Sequence, residues 1–172
     1  MSEASGGRAS NLVIRPVTPD DLEILANLVR ELAVYEKLEE HAKATPEDFH
    51  RNLFGPRPAA EAVIAEVDEE PIGFALWFTT FSTFRGQPGI YLEDLFVRPR
   101  NRGQGIGKAL LAMLARLAIE RGCGQLNWSV LNWNEPAIGF YCAIGARPMD
   151  EWTVYRLDDE PLRRLASSAP AI

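Results

Sequence analysis

The segment Tyr91-Leu-Glu-Asp-Leu-Phe-Val-Arg-Pro-Arg-Asn-Arg-Gly-Gln-Gly-Ile-Gly-Lys108 constrains this chain more than any other. The apolar run from Ile90 to Val97 predicts a buried strand, Pro99 cannot continue a sheet ladder, and the pattern from Ala109 to Ala118 predicts a helix. Two features set this strand-turn-helix apart. Glu93 and Asp94 place adjacent carboxylates inside the strand, and Gly103, Gly105 and Gly107 allow several backbone N–H groups to face one small volume. At a helix N-terminus flanked by arginines, unpaired donors and the positive end of the helix dipole favour a phosphate or pyrophosphate. The segment reads as an anion cradle.

Two familiar cradles are excluded by spacing. A P-loop needs glycine where Arg102 stands and Ser or Thr where Ala109 stands. The dinucleotide fingerprint needs a glycine where Lys108 stands. Three glycines between a strand and a helix also fit a plain tight turn, a reading made weaker by the arginines and the strand carboxylates.

A length of 172 residues predicts one domain, taken here as residues 12–160 with flexible termini over 1–11 and 167–172. With 47% hydrophobic and 24% charged residues, and no apolar run near the roughly 20 residues of a membrane helix, the composition is that of a soluble globular protein without membrane association. Met1 to Ser10 is small and polar, unlike a signal peptide. Cys123, Cys142, His41 and His50 suggest neither a disulfide framework nor a metal site, so a reducing, cytoplasmic setting is expected. A net charge of −6 disfavours nucleic acid and favours a cationic substrate.

Along the chain, Leu12 to Ile14 predicts a short strand, and Thr18-Pro-Asp-Asp21 carries a helix start. Leu22, Leu25, Leu28, Val29, Leu32 and Ala33 recur at helical spacing as one apolar stripe, with Tyr35 and Glu36 near its end. Thr45-Pro-Glu-Asp48 starts a second helix running to about Leu53, and the link through Glu39, Glu40 and His41 is expected to be exposed. Ala60–Val67 and Ile72–Phe78 predict a hairpin, followed by a loop over Thr79–Gly89 whose Phe81, Phe84 and Arg85 suggest a binding wall. Gly122 fits a helix cap, Gln125–Leu131 a strand, Asn134-Glu-Pro136 a helix start ended by Gly145, and Thr153–Leu157 a strand closing the sheet. The order is mixed α/β throughout.

Arg102-Gly-Gln-Gly-Ile-Gly107 resembles the Q/R-x-x-G-x-G/A acetyl-CoA loop of the GNAT N-acetyltransferase superfamily. Glu31-Leu-Ala-Val-Tyr-Glu-Lys37, Tyr91-Leu-Glu-Asp94 and Trp133-Asn-Glu-Pro-Ala-Ile-Gly-Phe-Tyr141 resemble, in the same order, segments of spermidine/spermine and thialysine acetyltransferases, over about Val13 to Leu157. The resemblance implies a mostly antiparallel mixed sheet flanked by helices, with a splayed strand pair for acetyl-CoA, and a homodimer. It implies cofactor contacts from the backbone of Leu95, Phe96 and Val97, from Arg102, Gly103, Gln104, Gly105, Ile106, Gly107 and Lys108, and from Asn134, Pro136 and Tyr141.

Acetylation needs a neutral amine, and a lysine-like ammonium with a pKa near 10.4 is deprotonated in only about a few molecules per ten thousand at pH 7. The resemblance places the base at Glu93, acting directly or through water. Strand alternation would turn Asp94 to the opposite face, although the family carries a bulge here. Tyr141 corresponds to the family's general acid for the departing thiolate. Transfer from a phenol to a thiolate is uphill by about 2 kcal/mol on reference values, so hydrogen bonding to the sulfur as charge develops is the expected contribution. Asn134 is expected both to cap a helix and to contact pantetheine.

Tyr35 and Glu36 correspond to the pair that meets the amine in the polyamine enzymes, which makes Glu36 and Glu93 an acidic slot with Phe84 and Asp94 nearby. Ser82-Thr-Phe84 replaces the Asp-Pro-Trp pattern of the spermidine/spermine branch and is closer to the thialysine branch. The leading expectation is acetyl transfer to a small primary amine of thialysine, lysine or diamine type. Alternatives are a polyamine acetyltransferase, a protein N-terminal or lysine acetyltransferase, and a non-catalytic acyl-CoA-binding module.

Overall fold

The start signal at Thr18 acts through Asp21. Its Oδ2 accepts from the Thr18 N–H at 2.8 Å and the Thr18 hydroxyl at 2.7 Å, tightening a 3-10 turn over Pro19–Asp21 that leads into α1, Leu22–Glu36. The same buried carboxylate accepts from two Arg15 nitrogens at 2.7 and 2.9 Å, and this pairing holds its pKa well below the usual carboxylate range. Thr45 repeats the device for α2, Pro46–Phe54, through Asp48. The computed structural model describes residues 11–170, so the expected flexibility of residues 1–10 and 171–172 lies outside the described residues.

Five strands form one sheet in the order β1-β2-β3-β4-β5: Leu12–Pro16, Glu61–Val67, Glu70–Ser82, Gln87–Val97 and Leu126–Trp128. The first four pair antiparallel, and β5 is parallel to β4. Against one face α1 buries Leu22, Leu25, Leu28 and Leu32 on Ala62, Ile64, Phe74 and Phe96. Full burial of each such leucine contributes about 2 kcal/mol. Arg98, after β4, grips Glu31 of α1 through Nε and Nη2 at 2.9 and 2.7 Å and donates from Nη1 to the Pro71 carbonyl at 2.7 Å. That clamp ties α1 to the end of the central strand. α3, Ile106–Glu120, packs on β4 and β5 and buries Ile106, Leu110, Leu111, Leu114 and Ala118.

The described residues form two compact units divided between Leu131 and Asn132. The sheet, α1, α2 and α3 belong to the first. The second carries α4, Glu135–Ala143, and α5, Asp159–Ala166.

Three expectations are corrected. Thr79–Gly89 is not a loop: β3 runs to Ser82 and β4 starts at Gln87, because Thr79 to Ser82 pair with Gln87 to Ile90. The Gln125–Leu131 strand shortens to Leu126–Trp128, where its pairing with β4 ends. Thr153–Leu157 forms no strand, with Val154 and Tyr155 89% and 91% exposed; alternating β-formers do not make a strand without a paired edge.

Candidate active site

The site is organised by one surplus residue. Trp77 pairs with Leu92 and Leu76 with Asp94, so Glu93 sits in a β-bulge. A bulge breaks alternation: Leu92 shares the sheet face of Trp77, whereas Asp94 shares that of Leu76, which packs against the α1 core. The bulge, and not strand alternation, sets the direction of Asp94. It lies on the α1 side, while Glu93 is exposed.

Asp94 is pushed up to about 6, first by burial and then by the negative charges of Glu93 and Glu36. Burial also raises Glu36, the last residue of α1. Lys37 follows in the left-handed conformation, φ 60°, and caps the helix through its N–H and the Val34 carbonyl at 3.2 Å. Asp94 thus feels the charges of both Glu93 and Glu36, the latter at the carbonyl end of α1, where the dipole adds negative potential. The region attracts a cation. Among the described residues, no group of three or more His, Cys, Asp or Glu has metal-holding geometry.

Past the bulge the sheet opens. The β4–β5 ladder stops at Leu92 and Trp128. The Arg98 N–H donates to the Ile72 carbonyl at 2.9 Å, so alternate residues Arg98 and Phe96 direct their backbone groups toward β3. Leu95 and Val97 direct theirs to the side from which β5 has parted. Phe96 pairs with Phe74 of β3, and its ring is buried in the core.

Beyond β4, Gly103 and Gly105 have φ of 75° and 82°, a region that side chains with a Cβ rarely occupy, and a Cβ built on either meets nothing within 4 Å. The first α3 ladder bond runs from the Ala109 N–H to the Gly105 carbonyl at 2.9 Å, so the N–H groups of Ile106, Gly107 and Lys108 precede the ladder. Gln104 and Lys108 are exposed beside them. These features fit a pyrophosphate.

The model of the acetyltransferase (GNAT) family matches residues 25–145. The chain belongs to the GNAT acetyltransferases. This acetyltransferase is 36% identical to the thialysine N-epsilon-acetyltransferase of Bos taurus, covering 90% of this chain and 97% of that protein. It is 28% identical to an L-ornithine N5-acetyltransferase of Arabidopsis thaliana, covering 88% and 86%. A solved integron cassette protein from the mobile metagenome of V. cholerae is 30% identical, with a TM-score of 0.77 over 91% of this acetyltransferase and 98% of that chain.

The remaining nominated residues are placed as follows. Tyr35 lies on α1 next to Glu36 and packs against the core. Phe84 is at the tip of the β3–β4 hairpin and 96% exposed. In the second unit, Asn134 is buried and caps α4 by accepting from the Ala137 N–H at 3.4 Å, with Pro136 in the first turn. Tyr141 is half-buried on α4, its ring 5.4 Å from that of Phe140. A cavity of about 800 Å³ between β1, β2, the end of α2 and α3 contains none of the nominated residues. Sequence reasoning grouped Asp94 with Glu36 but missed that Asp94 is a carboxyl whose pKa is raised, since nothing local shows its burial.

Proposed function

We propose that this acetyltransferase moves the acetyl group of acetyl-CoA to the side-chain amine of a small cationic substrate of thialysine, lysine or diamine type. It is an acetyl-CoA-dependent amine N-acetyltransferase. The observation that carries the substrate class is the carboxylate cluster of Glu36, Glu93 and Asp94, in which both glutamates repel the Asp94 charge and a bound ammonium relieves that repulsion. The names of the cattle and Arabidopsis relatives both specify a side-chain nitrogen of an amino acid, which supports that choice over polyamines.

The thioester supplied by acetyl-CoA is already activated, so the chain's own residues orient and move protons. The N–H groups at the start of α3 hold the pyrophosphate, and the strand groups of Leu95 and Val97 accept the pantetheine arm as an added strand. Glu36 and Asp94 hold the ammonium, with Phe84 as part of the wall. Glu93, exposed at the bulge, takes the amine proton directly or through water, and Tyr141 donates toward the departing sulfur. One acetyltransferase domain over residues 12–160 and a cytoplasmic setting complete the reading, which includes neither nucleic acid nor membrane as a partner. A homodimer belongs to it as well, supported by the exposure of Trp152, Val154 and Tyr155 within the second unit.

The test is thiol release from acetyl-CoA with thialysine, lysine, ornithine, putrescine, spermidine and a peptide with a free N-terminus. Turnover with one of the first four at least tenfold above spermidine and peptide is expected. Preference for spermidine or peptide would overturn the substrate class, and no turnover with any amine despite acetyl-CoA binding would leave a binding module.

A further inference from the structure

The residue opening the glycine turn does not direct its charge only toward a phosphate. Arg102 donates from Nε to the Val97 carbonyl at 2.8 Å, and its guanidinium carbon lies 4.2 Å from the centroid of the Tyr35 ring and 5.7 Å from that of Phe96. These are cation–π distances, and a guanidinium stacks on a ring better than an ammonium does. One side chain therefore joins three parts of the first unit. It starts at the cradle, engages the end of β4 at a carbonyl directed to the parted side, and rests on the helix residue next to Glu36.

From this we infer that Arg102 is a positioning residue for the amine slot, coupling occupancy of the cradle to the placement of Tyr35 and Glu36. The inference rests on the function proposed above and assigns the Arg102 side chain a task beyond cofactor contact. Two physical steps support it. A pyrophosphate settling on the turn draws on the backbone immediately after Arg102, so the turn and the guanidinium move as one piece. The Val97 carbonyl fixes Nε in turn, so the guanidinium keeps one bearing from the end of β4 to the Tyr35 ring. Shifting either shifts the ring under the guanidinium, and Glu36 is the next residue along α1.

Arg102→Met keeps the stem and removes the charge, while Arg102→Lys keeps a cation over the ring and loses the fork that reaches Val97. Steady-state kinetics with the preferred amine, together with calorimetric titration of acetyl-CoA, separate the possibilities. For Arg102→Met the amine KM is expected to rise five- to tenfold or more, with the acetyl-CoA Kd changed less than threefold. Arg102→Lys is expected to recover part of the loss. Tyr35→Leu should raise the amine KM similarly, and the double variant should be no worse than the poorer single one. A Kd for acetyl-CoA raised tenfold with the amine KM unchanged would overturn the inference and make Arg102 a plain phosphate ligand. Additive effects of Arg102→Met and Tyr35→Leu would overturn it too. If Arg102→Met fails to fold, the Arg102→Lys and Tyr35→Leu pair decides by the same criterion. Absence of turnover by the wild-type protein with every amine would count instead against the proposed function.

Discussion

Asp94→Asn removes a charge that the fold holds at a cost while keeping the size of the side chain. The carboxyl is raised from 3.8 to about 6, chiefly by burial. At about 1.4 kcal/mol per tenfold, ionising it inside the folded protein costs up to about 3 kcal/mol. Between pH 3.8 and about 6 the native state holds a proton that the unfolded state has released, so this group makes wild-type stability fall as pH rises through that window. Above it the loss is complete and constant. The asparagine variant lacks that slope and is expected to match the wild type near pH 4 and to exceed it by about 1–3 kcal/mol at pH 7.5, the amide's own desolvation taking the remainder. Urea unfolding of the ligand-free proteins at pH 4, 5, 6 and 7.5 reads the difference. The amine KM should rise in the same variant, because the charge that destabilises the empty slot is the one that holds the ammonium. A stability difference independent of pH, or a variant weaker than wild type at pH 7.5, would refute the account of Asp94 as a strained carboxylate.

Gly105→Val puts a β-branched residue at a φ of 82°, where L side chains are strained, and adds bulk at the cradle; acetyl-CoA affinity by calorimetry is expected to fall at least a hundredfold with the fold retained. Tyr141→Phe keeps the ring beside Phe140 and removes the hydroxyl, so kcat should drop about 10²–10⁴-fold with unchanged melting temperature. Asp21→Asn weakens the Arg15 pairing that lowers the Asp21 pKa, a contribution present above the unfolded pKa near 3.8 and lost as pH falls through the folded value; urea unfolding at pH 7 should show about 1–3 kcal/mol of destabilisation, shrinking at acid pH.

What was legible in the chain was local chemistry. Thr18 and Thr45, each followed by proline and an acidic residue at the third position, announced their helices because a cap is made within a single turn. Gly103 and Gly105 announced a turn with positive φ because few other residues tolerate it. The pairing of distant segments was not legible. Nothing near Asp94 shows that Leu76 is its partner or that Glu36, many residues earlier, raises its pKa. The short helix α5 was overlooked although Asp159 and Glu160 in its first turn, Arg163 and Arg164 in its last, and Leu162 and Leu165 three apart are a helix signature. Thr153–Leu157 is the converse case: its residues favour a strand, but among the described residues no strand edge pairs with them.

The bulge also has a meaning for how such a chain changes over time. Because Leu92 and Asp94 already face successive partners on β3, position 93 is surplus to the ladder. Losing that one residue would leave every pairing downstream in phase and close β4 into an unbroken strand. An insertion or deletion elsewhere in β4 would instead swap its inner and outer faces. The sheet therefore tolerates a length change most readily at the position that bears the proposed base, and a lineage shedding activity while keeping its fold has a one-codon route to do so.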